Sequence, residues 1–125
     1  YIVFEIVESE ELESAELYEA VKRLKRCGIK ISIDDFGTGY SNFDYLIKLN
    51  ADFIKIDGSI VKKILTDNNS ELIVKTIVNI AKELGAKTIA EFVESEAIYT
   101  KVKELGVDYS QGYYFSEPLE NIIID

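Results

Sequence analysis

The sequence predicts an α/β protein with a mostly parallel β-sheet. Two observations indicate this fold class: four segments with apolar residues at helical spacing each end on a glycine or asparagine, and a short strand-like segment follows each of them. A further strand-like segment, "YIVFEI", opens the chain. Five strands that alternate with helices are the pattern of a protein with a parallel sheet.

The predicted helices each place apolar residues on one face. They lie within residues 17–24, 41–49, 73–84 and 98–105. The residues that end them tolerate the left-handed backbone conformation common after a helix: Gly28, Asn50, Gly85 and Gly106. In the loop before the third helix, Ser70 is the expected N-cap.

The predicted strands are short, and no linker or low-complexity segment separates them. They are "YIVFEI", "IKISID", "ADFIKI", "AKTIAE" and "VDYSQG". With 125 residues, 47% hydrophobic and 30% charged, the chain is long enough for one domain with a core, or for part of one. Because it starts abruptly on an apolar run and contains no methionine, we expect a piece of a longer protein.

Composition limits the possible chemistry. The net charge of -9 argues against passive binding to a DNA or RNA polymer. Histidine is absent, so metal binding falls to oxygen ligands and favours hard ions. The single cysteine, Cys27, is expected to be a small buried residue and fits a reducing compartment. No apolar run approaches the roughly 20 residues of a membrane helix. We therefore expect a cytoplasmic domain.

Polar residues recur at the ends of the predicted strands. Asp34, Lys55, Glu91 and Gln111 come five or six residues after the glycine or asparagine that ends the preceding helix. In a parallel sheet this offset places them at similar heights near the carboxyl ends of successive strands, and Glu5 ends the first strand likewise. Ligands bind at this edge in α/β barrels and open sheets alike. A functional cluster is therefore predicted.

The carboxylates of this cluster predict divalent metal ions. Glu5, Asp34, Asp35 and Glu91 would repel one another strongly unless cations neutralised them or their pKa values rose. Two neighbouring aspartates suit a pair of ions, the arrangement used for in-line cleavage of phosphoesters. Asp35 taken alone also fits an Asx turn.

The lysine and the amide have two interpretations each. Lys55 would orient or polarise an attacking water, or it would be only an ion-pair partner. Gln111 would hold a water or a phosphate oxygen, or it would only cap a turn. Carboxylates and a lysine at barrel strand ends also suit a magnesium-dependent, proton-abstracting enzyme of the enolase type. The residue types alone leave these alternatives open.

Five strings in the chain together resemble a known family. "FEIVES", "IDDFGTGYS", "FIKID", "AEFVE" and "QGYYFSEPL" occur in the order and approximate spacing of the EAL domain, a bacterial phosphodiesterase that hydrolyses cyclic di-GMP to linear pGpG on a modified TIM barrel. The resemblance covers essentially the whole chain. A complete (β/α)8 barrel takes roughly 250 residues. The resemblance therefore implies an incomplete TIM-type barrel, with residues 1–125 as the last five strand-helix units and the C-terminal portion of a single EAL-type domain.

The resemblance also implies a two-metal site for Mg2+ or Mn2+. Four carboxylates would be its ligands: Glu5 and Asp34 for the first ion, and Asp34, Asp35 and Glu91 for the second. Three further residues would act beside it: Lys55 in activating the attacking water, Gln111 in supporting the water network, and Glu94 in a supporting role near the substrate.

Partners follow from the same resemblance. The loop "DFGTGYS", residues 35–41, would couple the metal site to dimer contacts, with Glu8 as its anchor and Gly37 and Gly39 supplying backbone freedom. The expected partners are cyclic di-GMP, a second copy of the parent domain, and an upstream sensor or GGDEF-type domain. Segments outside this chain could anchor the parent protein to a membrane.

Two departures from the family pattern bear on activity. Phe92 stands in "AEFVE" where the family more often carries glycine. The family's Glu-Ala-Leu motif and an upstream metal-binding asparagine are not among the 125 residues, so the isolated fragment is expected to be inactive. The parent would be a cyclic di-GMP phosphodiesterase or, if it has lost a catalytic residue upstream, a non-catalytic cyclic di-GMP receptor. The string "DDFGTGYS" argues against an enzyme of the enolase type.

Overall fold

A computed structural model describes residues 3–7, 15–37 and 47–112 of the chain. Its elements, in chain order, are β1 (Val3–Val7), α1 (Ala15–Arg26), β2 (Lys30–Phe36), β3 (Phe53–Ile56), α2 (Gly58–Lys62), α3 (Asn68–Leu84), β4 (Lys87–Ala90), α4 (Glu96–Glu104) and β5 (Tyr109–Ser110). Residues 47–49 are also helical. Within these ranges, no helix is long and apolar enough to cross a membrane.

The five strands form one parallel sheet in the order β1-β2-β3-β4-β5. This confirms the predicted α/β class and the predicted strand segments. Helix α2 was not predicted, because a helix of five residues is too short to show a helical period. It begins where the side chain of Asp57 accepts a hydrogen bond from the backbone N–H of Ser59 at 2.9 Å.

The predicted helix ends are confirmed by backbone geometry. Gly28, Asn50, Gly85 and Gly106 all have positive φ, at 85°, 51°, 77° and 97°. The predicted N-cap Ser70 is wrong, since it lies buried inside α3. Asp67 caps this helix instead, because its carboxylate accepts from the backbone N–H of Asn69 at 2.9 Å and so starts the helix earlier.

The hydrophobic core lies between the helices and one face of the sheet. Four isoleucines of β2 and β3 have no exposed surface: Ile31, Ile33, Ile54 and Ile56. They form one cluster with the buried residues of α3, including Val74, Ile77 and Val78. Burial of each such side chain contributes about 1.5–3 kcal/mol. Because side chains alternate along a strand, the residues that directly follow Ile31, Ile33 and Ile54 face away from this core. They are Ser32, Asp34 and Lys55.

Cys27 is exposed, so the prediction of a buried cysteine is wrong. It directly follows the last residue of α1, and its N–H donates to the carbonyl oxygen of Leu24 at 3.0 Å. The chain is turning towards Gly28 at this point, and the turn carries Cys27 away from the apolar face of the helix.

Two aspartates join neighbouring strands at the amino-terminal edge of the sheet. Asp52, just before β3, accepts from the backbone N–H of Ile31 in β2 at 2.8 Å and from Lys25 Nζ at 2.9 Å. Asp108, just before β5, accepts from the backbone N–H of Thr88 in β4 at 2.9 Å. The Thr88 hydroxyl donates to the same carboxylate at 3.2 Å and accepts from the Asp108 N–H at 3.1 Å. We call these two residues the carboxylate clasps, since each fixes a strand against its neighbour.

Replacing Asp108 with alanine should lower the free energy of unfolding by about 2 kcal/mol, because it leaves the buried N–H of Thr88 without its acceptor. Asp108→Asn should lose less, since its amide oxygen can still accept this bond. Urea unfolding followed by circular dichroism measures both effects. The control Glu83→Gln, at an exposed position of α3, should change stability by less than about 0.5 kcal/mol. Equal losses for Asp108→Ala and this control would refute the role of the clasp.

Candidate active site

A buried lysine joins two of the predicted metal ligands. Lys55 lies in β3 among apolar residues, and only 5% of its surface is exposed. Its Nζ donates to Glu5 Oε2 at 2.9 Å and lies 3.8 Å from Asp34 Oδ2. A buried ammonium group is stable only when paired, and here two carboxylates pair with it. The structure therefore brings together Glu5, Asp34 and Lys55, as the sequence predicted.

The strand register explains this contact. Ile33 pairs with Ile54, so the residues that follow them, Asp34 and Lys55, are neighbours. Val7 pairs with Asp34, which places Glu5 two positions earlier along β1 and on the same face of the sheet. The prediction that Glu5 ends the first strand at the height of Asp34 is therefore wrong, since β1 continues to Val7 and Glu5 pairs with Ser32. The longer side chain of Glu5 spans the difference to reach Lys55.

Burial raises the pKa of Asp34 from 3.8 to about 6. The positive charge of Lys55 acts in the opposite direction, while the charge of Glu5 and a hydrogen bond with it add to the rise. Ser32, two residues earlier on the same face, donates its hydroxyl to Asp34 Oδ1 at 3.2 Å and favours the ionised form. The ionised carboxylate of Asp34 is therefore poorly solvated, and a further cation beside it would favour this form.

A bulge separates Asp34 from its neighbour Asp35. The pairing of β2 with β3 shifts between Ile33 and Phe36, and Phe36 pairs with Ile56. A bulge redirects side chains at this point of a strand. The structure describes the backbone of Asp35 but not its side chain, so its role as a metal ligand stays a prediction.

Gly37 lies in the predicted loop of residues 35–41 and has a structural reason to be glycine. Its φ is +108°, and an added Cβ atom would lie 2.5 Å from Cδ1 of Ile60 in α2. The chain thus passes directly over this helix as it leaves β2. Gly39 and Glu8 lie outside the described residues, so the predicted coupling of this loop to dimer contacts is untested.

Glu91 and Gln111 lie side by side after β4 and β5. The Gln111 N–H donates to the carbonyl oxygen of Ala90 at 2.9 Å, and the Gln111 carbonyl oxygen accepts from the Val93 N–H at 2.8 Å. Gln111 thus bonds to Ala90 and Val93, and its backbone hydrogen bonds skip residues 91 and 92. A pocket of about 330 Å³ opens there, lined by Glu91, Phe92, Gln111 and Gly112.

Glu94 makes a different contact. Its Oε1 lies 3.7 Å from Nζ of Lys62 in α2, and both side chains are about half exposed, at 47% and 57%. Such an exposed pair contributes little to stability. Its predicted supporting role near a substrate stays a prediction.

The predicted ligands fit a divalent cation in their chemistry. They offer only carboxylate oxygens, which Mg2+ and Mn2+ bind, and a cation beside the buried Asp34 would favour the ionised form of its carboxylate. Among the side chains that the structure describes, no three acidic or cysteine residues are close enough to hold one ion. Lys55 lies between Glu5 and Asp34 and supplies the positive charge there. The full set with Asp35 and Glu91 therefore stays a prediction.

Sequence reasoning missed Ser32 and the special geometry at Phe92. Ser32 could have been found, since it precedes Asp34 by two residues and so shares its face of the strand. Phe92 has φ of +57°, a left-handed conformation that phenylalanine rarely adopts. The signal for this conformation was the glycine that the resembled family more often carries at this position.

Comparisons with known proteins place this chain in a family. The family model described as "EAL domain" matches residues 1–118. A probable cyclic di-GMP phosphodiesterase of Escherichia coli, PdeA, is 41% identical over 119 residues, which are 94% of this chain and 16% of PdeA. The chain therefore spans about a sixth of the length of this relative.

Solved structures agree with this assignment. The c-di-GMP complex of the Pseudomonas aeruginosa MucR phosphodiesterase superposes with a TM-score of 0.83 at 36% identity, over 93% of this chain and 47% of that one. Klebsiella pneumoniae BlrP1, solved with manganese and with calcium beside cyclic di-GMP, gives a TM-score of 0.85 at 32% identity, over 93% of this chain and 30% of BlrP1. The five parallel units are consistent with part of a TIM-type barrel. The chain belongs to the EAL domain family.

Proposed function

We propose that this chain is the C-terminal portion of a single EAL-type barrel domain, and that the parent protein hydrolyses cyclic di-GMP to linear pGpG with Mg2+ or Mn2+. The observation that carries the proposal is the buried Lys55 between Glu5 and Asp34 at the ligand-binding edge of the sheet. The cyclic di-GMP phosphodiesterases among the relatives support the same activity, and BlrP1, solved with manganese and with calcium, supports a divalent ion.

Different residues of the chain would have different roles in this reaction. Glu5, Asp34, Asp35 and Glu91 would hold two divalent ions, which supply positive charge to a phosphodiester and lower the pKa of a water. Ser32 orients Asp34 through its hydroxyl.

Lys55 has two tasks in the proposed reaction. Its ammonium group offsets the charge of Glu5 and Asp34, and it orients the attacking water towards phosphorus. Its burial in a rigid strand fixes the position of Nζ. Gln111 would support the water network from the neighbouring pocket, and Glu94 would support the substrate from the loop after β4.

The partners of the parent protein are part of the proposal. They are cyclic di-GMP, a second copy of the domain, and an upstream sensor or GGDEF-type domain, in the cytoplasm. MucR, a bifunctional diguanylate cyclase and cyclic di-GMP phosphodiesterase, supports the presence of a second catalytic domain in the parent protein.

The test is hydrolysis of cyclic di-GMP by the purified full-length protein, with pGpG measured by chromatography. We expect turnover with Mg2+ or Mn2+, and inhibition by Ca2+, because Ca2+ takes longer bonds and looser geometry. Equal turnover with Ca2+ or with a chelator would contradict a metal-dependent mechanism. Binding of cyclic di-GMP without any turnover would instead favour the receptor alternative.

A further inference from the structure

Phe92 adopts a conformation that ordinary folding does not favour. Its φ of +57° places a bulky side chain in the left-handed region, where a Cβ atom causes steric conflict. Glycine takes this conformation without such conflict. Strain of this kind persists where the surrounding structure imposes it, and it occurs often at functional sites.

Burial of the ring also does not explain why phenylalanine stands at position 92. Phe92 is 55% exposed, more than most large apolar side chains of a folded domain. One part of the ring lies against Gly58 in α2, where an added Cβ atom would be 2.2 Å from Phe92 Cδ2. Phe92 thus combines a strained backbone with a half-exposed ring that lies against Gly58.

The ring lies at a defined place in the candidate site. Phe92 lines the pocket of about 330 Å³ together with Glu91, Gln111 and Gly112. This volume is at the lower end of the roughly 300–1,000 Å³ that small-molecule sites have. The pocket therefore combines an aromatic surface with a carboxylate and an amide.

We propose that Phe92 is a substrate-binding residue whose ring stacks on a purine base of the cyclic dinucleotide. This inference rests on the proposed function, which supplies a substrate with two bases. Aromatic side chains bind bases by stacking on the flat face that every base has. Glu91 and Gln111, which the proposed function assigns to a metal ion and to the water network, line the same pocket, so a base stacked on Phe92 would lie beside the reacting phosphodiester. The ring positions the substrate and takes no part in bond cleavage.

The experiment measures KM and kcat of the full-length protein with Phe92→Gly, Phe92→Leu and Phe92→Trp. Phe92→Gly should raise KM by about tenfold or more, the effect of losing one base–aromatic stack, with kcat within about twofold of wild type. Phe92→Trp should keep KM near wild type, and Phe92→Leu should resemble Phe92→Gly. Phe92→Gly should also raise the melting temperature, since glycine relieves the strain.

A matched control separates stacking from a general loss of apolar surface. Leu72 is 61% exposed in α3, and Leu72→Ala should leave KM unchanged. A Phe92→Leu variant as effective as wild type would overturn the stacking role. An unchanged KM in Phe92→Gly would also overturn the stacking role. If the wild-type protein is active in that case, the proposed function still stands. A wild-type protein that neither hydrolyses nor binds cyclic di-GMP would overturn both.

Discussion

Replacing Asp34 with asparagine should lower the rate of cyclic di-GMP hydrolysis by about 100-fold or more. Asp34 is the most buried of the described carboxylates beside Lys55, with 14% of its side chain exposed against 37% for Glu5. A neutral amide is a poor ligand for a divalent ion. Loss of a bound ion removes several kcal/mol of charge stabilisation, which corresponds to this change in rate.

The control for Asp34→Asn is Glu83→Gln, an exposed neutralisation in α3 that should leave the rate unchanged. Calorimetry with Mn2+ gives a second measurement. Because the pKa of Asp34 is about 6, protons should compete with the ion below this pH, and wild-type affinity should fall as pH drops through 6. Equal rates for the two variants, or Mn2+ affinity independent of pH, would refute the assignment of Asp34.

Residues 1–125 prepared alone should show no turnover of cyclic di-GMP and should self-associate. In the described part of the chain, β1 and β5 each pair on one side only. Unpaired strand edges readily bind further strands, and a barrel fold removes them by closing. Phe4 in the edge strand β1 is 43% exposed, which adds apolar surface at this edge.

Light scattering gives the mass of this fragment, and a pGpG assay with Mn2+ gives its activity. The matched control is the full-length protein under the same conditions, which should be active. A fragment that is monomeric and active would show that residues 1–125 contain a complete site. The proposal that they form the C-terminal portion of a barrel domain would then be wrong.

The architecture could be predicted from the sequence because its signals are local. Helical spacing of apolar residues, followed by a residue that tolerates positive φ, located the ends of the helices, including the non-glycine Asn50 with φ of 51°. Ser70 was wrong as a cap because a second candidate, Asp67, stands three residues earlier. Two possible caps in one loop cannot be ranked without the geometry of the turn.

The candidate site was predicted in part. Constant spacing along the strands located Asp34 and Lys55 correctly as neighbours, since register follows from the lengths of the strands and turns. The bulge after Ile33 could not be predicted, and the left-handed Phe92 was indicated only by the glycine that the resembled family more often carries there. Both depend on contacts between segments that are distant in sequence, such as the approach of Phe92 to Gly58.

The carboxylate clasps have a consequence for how the domain can diversify. Asp52 and Asp108 set the alignment of their strands at the amino-terminal edge, opposite the edge that carries Lys55. An insertion in a loop at the other edge would then lengthen only that loop, since the strands are already held in place where they begin. Loops around the candidate site can therefore change length and composition over evolution while the distances among its residues stay constant.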